Sequence, residues 1–335
     1  MAKAINDPQM LTMFLSYKLN IQNRSALTVS EYGNDLRLFI RYILVLRENG
    51  DFEKLDEKEI DNLDEAFFQS ITTSEIYSFL IYLANGRKNA PASRARKLSA
   101  VRAFFKYHSS KSHILKDNPA KDIDSPSMRQ KLPKHLSLDE SLDLLSSVDR
   151  SDENYERNYC ILTFFLNCGM RLSELVGLNL YDIEQDMSQM TVTGKGNKMR
   201  VIYLNSACRS ALTSYLNVRT AKISERGGVI KDKNALFLSS RGQRISNKTV
   251  QWLVKKHLSL SGLEHKGYST HKLRHTAATL MYSTGKVDVR VLKEILGHEQ
   301  LNTTQIYTHV ANAQLESAME ENPLAKVKTK KKQEQ

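Results

Sequence analysis

The 335-residue sequence predicts a mainly α-helical protein in two parts, the second of which carries a small β-sheet. Three observations carry that expectation. Apolar residues recur at helical spacing through the first 125 residues. The stretch SPSMRQKLPKHLS, residues 125–137, has two prolines and no apolar periodicity, which suits an exposed linker. Beyond it, MTVTGKGNKMRVIYL alternates around turn residues as a β-hairpin does. The expected organisation is a helical domain over 1–125, a linker over 126–137, a second domain over 138–320 and a basic tail over 321–335. A chain of this length can bury two separate cores.

The elements follow in order. Asp7 and Pro8 offer a cap and first-turn proline for QMLTMFLSYKLN, and Ser30 can cap EYGNDLRLFIRYILVLRE, where Leu36, Phe39, Ile40, Ile43 and Leu44 share a face. Ser74 can cap EIYSFLIYLA, and Ser93 can begin ARKLSAVRAFFKYHSS, with Leu98, Val101, Phe104 and Phe105 inward. Four such helices make a small bundle. Downstream, a helix capped at Ser137 precedes NYCILTFFLNCG, so apolar that it must be buried, and Gly169 can end it in a left-handed conformation. Arg171 then opens another helix. In the hairpin, Met190, Val192, Val201 and Tyr203 alternate, and Gly194 and Gly196 bracket Lys195. YSTHKLRHTAATLMYSTG begins at a Ser269 or Thr270 cap, and VDVRVLKEILGHE turns Val289, Leu292 and Ile295 inward before stopping at Gly297.

Charge narrows the partner. The net charge is +12; residues 1–150 carry 22 basic and 20 acidic side chains, and residues 151–335 carry 27 and 17, so the second part holds +10 of the excess. Within the first part, residues 51–76 are acidic, whereas 87–130 hold 11 basic and 3 acidic side chains. Such a field favours a polyanion, and a basic helix fits the major groove of DNA. Arg87, Lys88, Arg94, Arg96, Lys97, Arg102 and Lys106 are candidate DNA contacts, as are Lys198, Arg200, Arg241, Arg244 and Lys248 in the second part. Tyr107 and His108 read as packing or rim residues. The same charges would equally suit a solvated surface.

Other classes are disfavoured. Cys160, Cys168 and Cys208 form no C-x-x-C pair and no even disulfide framework, the first residues lack a signal-peptide pattern, and no apolar run approaches the ~20 residues that span a bilayer. A soluble cytoplasmic protein with no membrane partner is expected. His271 and His275 stand at the i, i+4 spacing of a zinc helix, but Lys-Leu-Arg lies between them where a catalytic glutamate would sit, so no metal is expected. The GKG at 194–196 lacks the spacing and strand-to-helix setting of a P-loop, and no cofactor is implied.

Six residues remain, each with an ordinary explanation: Arg171 as a structural partner of Glu174, Lys195 as a solvated hairpin tip with Lys198 competing beside it, His271 and Arg274 one turn apart, His298 just past a helix end, and Tyr307 in the polar LNTTQIYTHV. Taken together they are a set of cations around one anion with a hydroxyl nearby, chemistry suited to attack on a phosphodiester.

In order and setting these motifs resemble the tyrosine recombinase (phage integrase) family, most closely its Xer-type branch. The resemblance covers nearly the whole chain: Arg171, hairpin Lys195, His271-Lys272-Leu273-Arg274, the Leu-Gly-His that ends at His298, and Tyr307. It implies a SAM-like core-binding bundle followed by an α+β catalytic domain, the two forming a clamp on DNA. It also implies Tyr307 as nucleophile through a 3′-phosphotyrosyl intermediate, Arg171, Arg274 and His298 on the phosphate, Lys195 as general acid and His271 as proton-transfer aid. Partners implied are double-stranded DNA bearing a specific site and a homo- or heterotetramer with a second recombinase, with ANAQLESAME docking on a neighbour. A DNA translocase or accessory protein stays open. So does the choice between chromosome-dimer resolution and mobile-element integration, because the acidic, insertion-like 50–70 run and the Lys-rich tail are less typical of compact members. A type IB topoisomerase or a non-catalytic architectural DNA-binding protein are the alternatives.

Overall fold

The structure is a computed structural model that describes residues 7–127, 134–225, 227–285 and 287–297, with Lys195, Lys222 and Ile223 described by their backbone alone. It divides into two units, Met1–Gln130 and Lys131–Gln335.

The first unit is a helical bundle: α1 Gln9–Ser16, running on into a wider turn at Tyr17–Ile21, α2 Ala26–Arg47, α3 Glu65–Gln69, α4 Thr73–Asn85 and α5 Pro91–Ser110. Phe14, Phe39, Phe68, Phe79, Phe104 and Phe105 fill its centre. Phe104 meets Phe14 edge to face at 5.7 Å between centroids, the arrangement the ring quadrupole favours. Leu36, Phe39, Ile40 and Ile43 are buried as their spacing predicts, while Leu44 is half-buried. His108 is wholly buried and Tyr107 stacks on Tyr17.

Helix starts depart from expectation at four places. Ser25, not Ser30, caps α2 by accepting the Thr28 amide, because Ala-Leu-Thr-Val between them extends the helix by a turn. Thr72, not Ser74, caps α4, in a reciprocal box with Glu75: Thr72 Oγ1 accepts the Glu75 amide at 3.2 Å and Glu75 accepts the Thr72 amide at 2.8 Å. Pro91 starts α5, since a proline in the first turn forfeits no helical hydrogen bond, and Ser93 lies inside. Asp7 caps nothing; its two oxygens each accept from Arg37 of α2 at 2.7 Å. The acidic 50–70 run also proves to be part of the fold. Asp51 and Asp64 cap a 3₁₀ turn at Phe52–Glu57 and α3, and Leu55, Ile60 and Phe68 are buried.

In the second unit the elements are α6 Leu138–Ser146, α7 Tyr155–Cys168, α8 Leu172–Gly177, β1 Gln189–Thr193, β2 Met199–Tyr203, α9 Ser206–Val218, α10 Ala221–Glu225, α11 Asn247–Leu260, α12 Thr270–Ser283 and α13 Val289–Leu296. Ser137 caps α6 as expected, and the preceding Leu136 is buried in this unit, its amide donating to Thr276 Oγ1 of α12. Helix α7 is the buried centre, packed against α9 and α12, and Gly169 terminates it at φ 57°. Gly297 ends α13 in the same left-handed way. On α13, Leu292 and Leu296 are buried and Val289 and Ile295 only partly, so the inward stripe is rotated from the expected one.

The strands pair antiparallel with Gln189 opposite Tyr203 and Val192 opposite Arg200. Met190, Val192 and Ile202 face the core; Val201 and Tyr203, two of the alternating residues that mark the hairpin in sequence, point outward with Met199. Strand parity therefore turns Arg200 inward beside Ile202. A tight turn at Lys195–Asn197 joins the strands, with Gly196 at φ 72°. Among the described residues no helix is long and apolar enough to cross a membrane.

Candidate active site

Glu174 organises the site. It stands in the first turn of α8, three residues after Arg171, and its side chain is fully enclosed. One oxygen accepts the Arg171 amide at 2.8 Å, which ties the carboxylate to the helix N-terminus where negative charge is favoured. Arg171 Nη1 approaches the other oxygen at 2.6 Å, and Arg200 grips both oxygens in a fork at 2.6 and 2.9 Å. Arg274 Nη1 stands 3.9 Å away. Burial alone would raise the Glu174 pKa; the Arg200 hydrogen bonds, the Arg171 amide and the Arg200 charge overcome it and hold the group at about 2.

The same three arginines reach the end of α13. Arg200 Nε donates to the carbonyl of Ile295 at 3.1 Å, Arg274 Nη2 to that of Leu296, and Arg171 Nη2 to that of Gly297 at 2.9 Å. The last carbonyls of a helix lack partners within it and carry its negative dipole end, so three guanidiniums are fitting donors to them. Arg274 also donates to the carbonyl of Gly169 at 2.7 Å, joining α12 to the α7–α8 corner. The arginines differ in access: side-chain exposure is 34% for Arg171, 13% for Arg200 and 4% for Arg274.

His271 lies one turn before Arg274 on α12, its Nε2 3.0 Å from that of His275. Burial, then the charges of Arg274, Lys272 and Arg171, hold its pKa below the usual histidine value. The imidazole is therefore neutral near pH 7 and able to accept a proton. Lys195 occupies the hairpin turn; its backbone is described and its side chain is not. His298 and Tyr307 lie outside the described residues; His298 follows directly on Gly297, which is held by Arg171.

The candidate DNA contacts fall into two groups. Arg96 and Lys97 both bind the buried Asp35, and Arg87 binds Asp56 at 2.7 Å. Arg244 donates to the carbonyls of Val176, Gly177 and Leu178 at the end of α8, as well as to Asn179 and Asp232. Arg200 is taken up by Glu174. For these five, internal acceptors already draw on the charge. Lys88, Lys106, Lys198, Arg241 and Lys248 are exposed, Arg94 is half-buried, and half-buried Arg102 donates to Ser125. In the sequence Glu174 reads only as a structural partner of Arg171. Its position, three residues into a helix that an arginine opens, was the available signal for an anchor.

Residues 134–314 match the phage integrase family. A tyrosine recombinase XerC of Caldanaerobacter subterraneus subsp. tengcongensis is 46% identical over 324 residues, spanning 96% of this chain and 89% of that relative. A tyrosine recombinase XerC of Thermodesulfovibrio yellowstonii is 33% identical over 301 residues, 90% of this chain and 91% of its own. Among solved structures, the XerH site-specific recombinase bound to difH substrate in a pre-cleavage complex aligns with a TM-score of 0.64 at 23% identity, over 95% of this chain and 97% of that one. A lambda integrase dimer bound to a COC′ core site aligns with a TM-score of 0.64 at 18% identity, over 89% and 93%. At those identities the likeness speaks for the fold, and the sequence relationships carry the assignment: the chain belongs to the phage integrase family and is a tyrosine recombinase of the Xer type.

Proposed function

We propose that this chain recombines DNA at specific sites, cutting and rejoining strands through a 3′-phosphotyrosyl bond at Tyr307. The observation that carries the mechanism is the charge imbalance at Glu174. Three guanidiniums, those of Arg171, Arg200 and Arg274, meet one carboxylate, leaving 3 − 1 = +2 in a largely enclosed cluster. A scissile phosphate carries one negative charge and its pentacoordinate transition state two. The cluster is thus best matched where charge is greatest, which is the requirement for electrostatic catalysis.

In this reading the Tyr307 hydroxyl attacks phosphorus and the bond to the 5′-oxygen breaks. The tyrosine proton passes to His271, neutral for the reason given above, and Lys195 protonates the departing 5′-oxygen. A tyrosine hydroxyl, with an ordinary pKa near 10, needs that help at neutral pH. Arg171 and Arg274 hold the non-bridging oxygens, and His298 adds a donor from the end of α13. The phosphotyrosyl bond conserves the energy of the broken one, so a 5′-hydroxyl from a second duplex can reverse the step and exchange strands. Strand exchange between two sites calls for four protomers, with residues 311–320 as the docking segment between neighbours and the N-terminal bundle gripping the flanking duplex.

The test is a nicked duplex bearing the site that the full-length protein enriches from random-sequence DNA. A denaturation-resistant adduct, absent with Tyr307→Phe, is expected. No adduct on the enriched site would refute the mechanism, and relaxation of a one-site plasmid without joining of two sites would assign the chemistry to a topoisomerase.

A further inference from the structure

We propose that Arg200 is a positioning residue for the cleavage step: it holds the Arg171–Glu174 pair and the end of α13 in one register and does not contact DNA. The inference rests on the recombinase reading above. Three observations support it. Parity on β2 turns Arg200 into the protein, at 13% side-chain exposure, although its neighbours Met199 and Val201 are exposed. Its guanidinium is spent on two acceptors from different elements: both oxygens of Glu174 on α8 and the Ile295 carbonyl on α13. Its stem fills the place a side chain would take at Gly297, where an added Cβ would lie 2.9 Å from Arg200 Cδ. The residue that precedes His298 is therefore a glycine on two counts, the left-handed turn at φ 61° and the room that Arg200 needs.

The consequence is mechanical. Glu174 bonds Arg171, so a shift of Arg200 moves Arg171. The same shift moves the end of α13, the helix that His298 follows in the chain. A lysine keeps the charge but cannot span both carboxylate oxygens and a carbonyl at once. Misplacing reacting groups by about 1 Å costs on the order of a hundredfold in rate.

The experiment uses the full chain with Arg200→Lys and Arg200→Gln on the enriched DNA site. Expected is a dissociation constant and salt dependence within about twofold of the unsubstituted protein, with single-turnover cleavage at saturating protein lowered about a hundredfold. Arg200→Lys should retain more activity than Arg200→Gln. On a substrate whose leaving 5′-oxygen is replaced by sulfur, which departs without a proton, Lys195→Ala should recover and Arg200→Lys should not, placing the defect at the phosphate side. Four results would overturn the inference: weakened binding with a shallower salt slope and normal saturated cleavage, which makes Arg200 a DNA contact; recovery of Arg200→Lys by sulfur, which routes its effect through Lys195; unchanged cleavage; or loss of folding in both variants, which makes it a stability residue. Absence of any adduct from the unsubstituted chain would instead refute the reading underneath.

Discussion

Arg171 and Gly297, 126 residues apart in the chain, are joined by a hydrogen bond of 2.9 Å from guanidinium to carbonyl. With Arg200 on Ile295 and Arg274 on Leu296, it makes the end of α13 a shared acceptor for three cations, one just before α8 and the others on β2 and α12. Two of the motif arginines, Arg171 and Arg274, thus meet through backbone carbonyls as well as through Glu174. Substitutions that leave every cation in place can therefore still dismantle the site.

Gly169→Ala is such a substitution. Gly169 adopts φ 57°, and an added Cβ would stand 2.9 Å from Leu296 Cδ2 while its carbonyl serves Arg274. Left-handed strain and overpacking together should cost about 1–3 kcal/mol. Denaturant melts should show that loss, accompanied by slower cleavage. Gly177→Ala is the control: it is exposed, helical and has nothing within 4 Å of a new Cβ, so stability should hold or rise by up to ~1 kcal/mol.

Glu174 should set an acid limb in stability. Its folded pKa of about 2 lies below the ordinary 4.5, so the unfolded chain takes up this proton first as pH falls. The contribution is complete above about pH 4.5 and is lost on descending toward 2. Glu174→Gln, which leaves Arg200 buried without its counter-charge, should cost about 3 kcal/mol at neutral pH. Urea melts between pH 5 and about 2.5 should show a flatter acid limb in the variant; an identical limb would refute the assignment.

His108 should act in a higher window. It is buried, and desolvation, opposed by a hydrogen bond to Met10, lowers its pKa from 6.5 to about 4. The Met10 carbonyl can only accept, so Nε2 carries the proton and Nδ1 is left to receive the Ser112 hydroxyl. Below pH 6.5 the unfolded chain binds a proton that the folded one refuses. Stability should therefore fall by about 3 kcal/mol from pH 6.5 to 4, a fall that His108→Gln should remove. Melts of the full chain across that range are the measurement.

Lys97 and Lys106 lie on one basic helix and should behave differently. Lys97 binds Asp35, which is 2% exposed, at 2.7 Å, whereas Lys106 is exposed. Lys106→Ala should reduce the slope of log K against log salt by about 0.9 if it meets a phosphate, without loss of stability. Lys97→Ala should leave that slope alone and destabilise the chain by roughly 1–3 kcal/mol, Arg96 keeping Asp35 partly paired. Salt titrations of binding and thermal melts would separate the two.

Much of this was legible in sequence because the signals are local. Gly169 and Gly297 mark helix ends through backbone freedom that glycine alone offers cheaply, and the apolar run after Tyr159 had nowhere to go except the core. The caps differ from expectation where a second capping residue stands two to five residues upstream. Ser30 and Ser74 lost to Ser25 and Thr72, since a cap is decided by how far the helix can extend upstream and by whether an N3 acid can reciprocate.

The sequence by itself determined the family, the helical character of both units, the hairpin that carries Lys195 and the order of the motif residues. Tertiary structure decided what each cation faces. Arg200, Arg244, Arg96 and Lys97 read as a basic field because charge in a sequence has no direction. Folding buries Glu174 and Asp35, and a buried carboxylate must be paired: Arg200 turns inward to Glu174, and Lys97, with the more exposed Arg96, engages Asp35, while Arg244 is taken up by the carbonyls that end α8; Lys106, Lys198 and Lys248 remain on the surface.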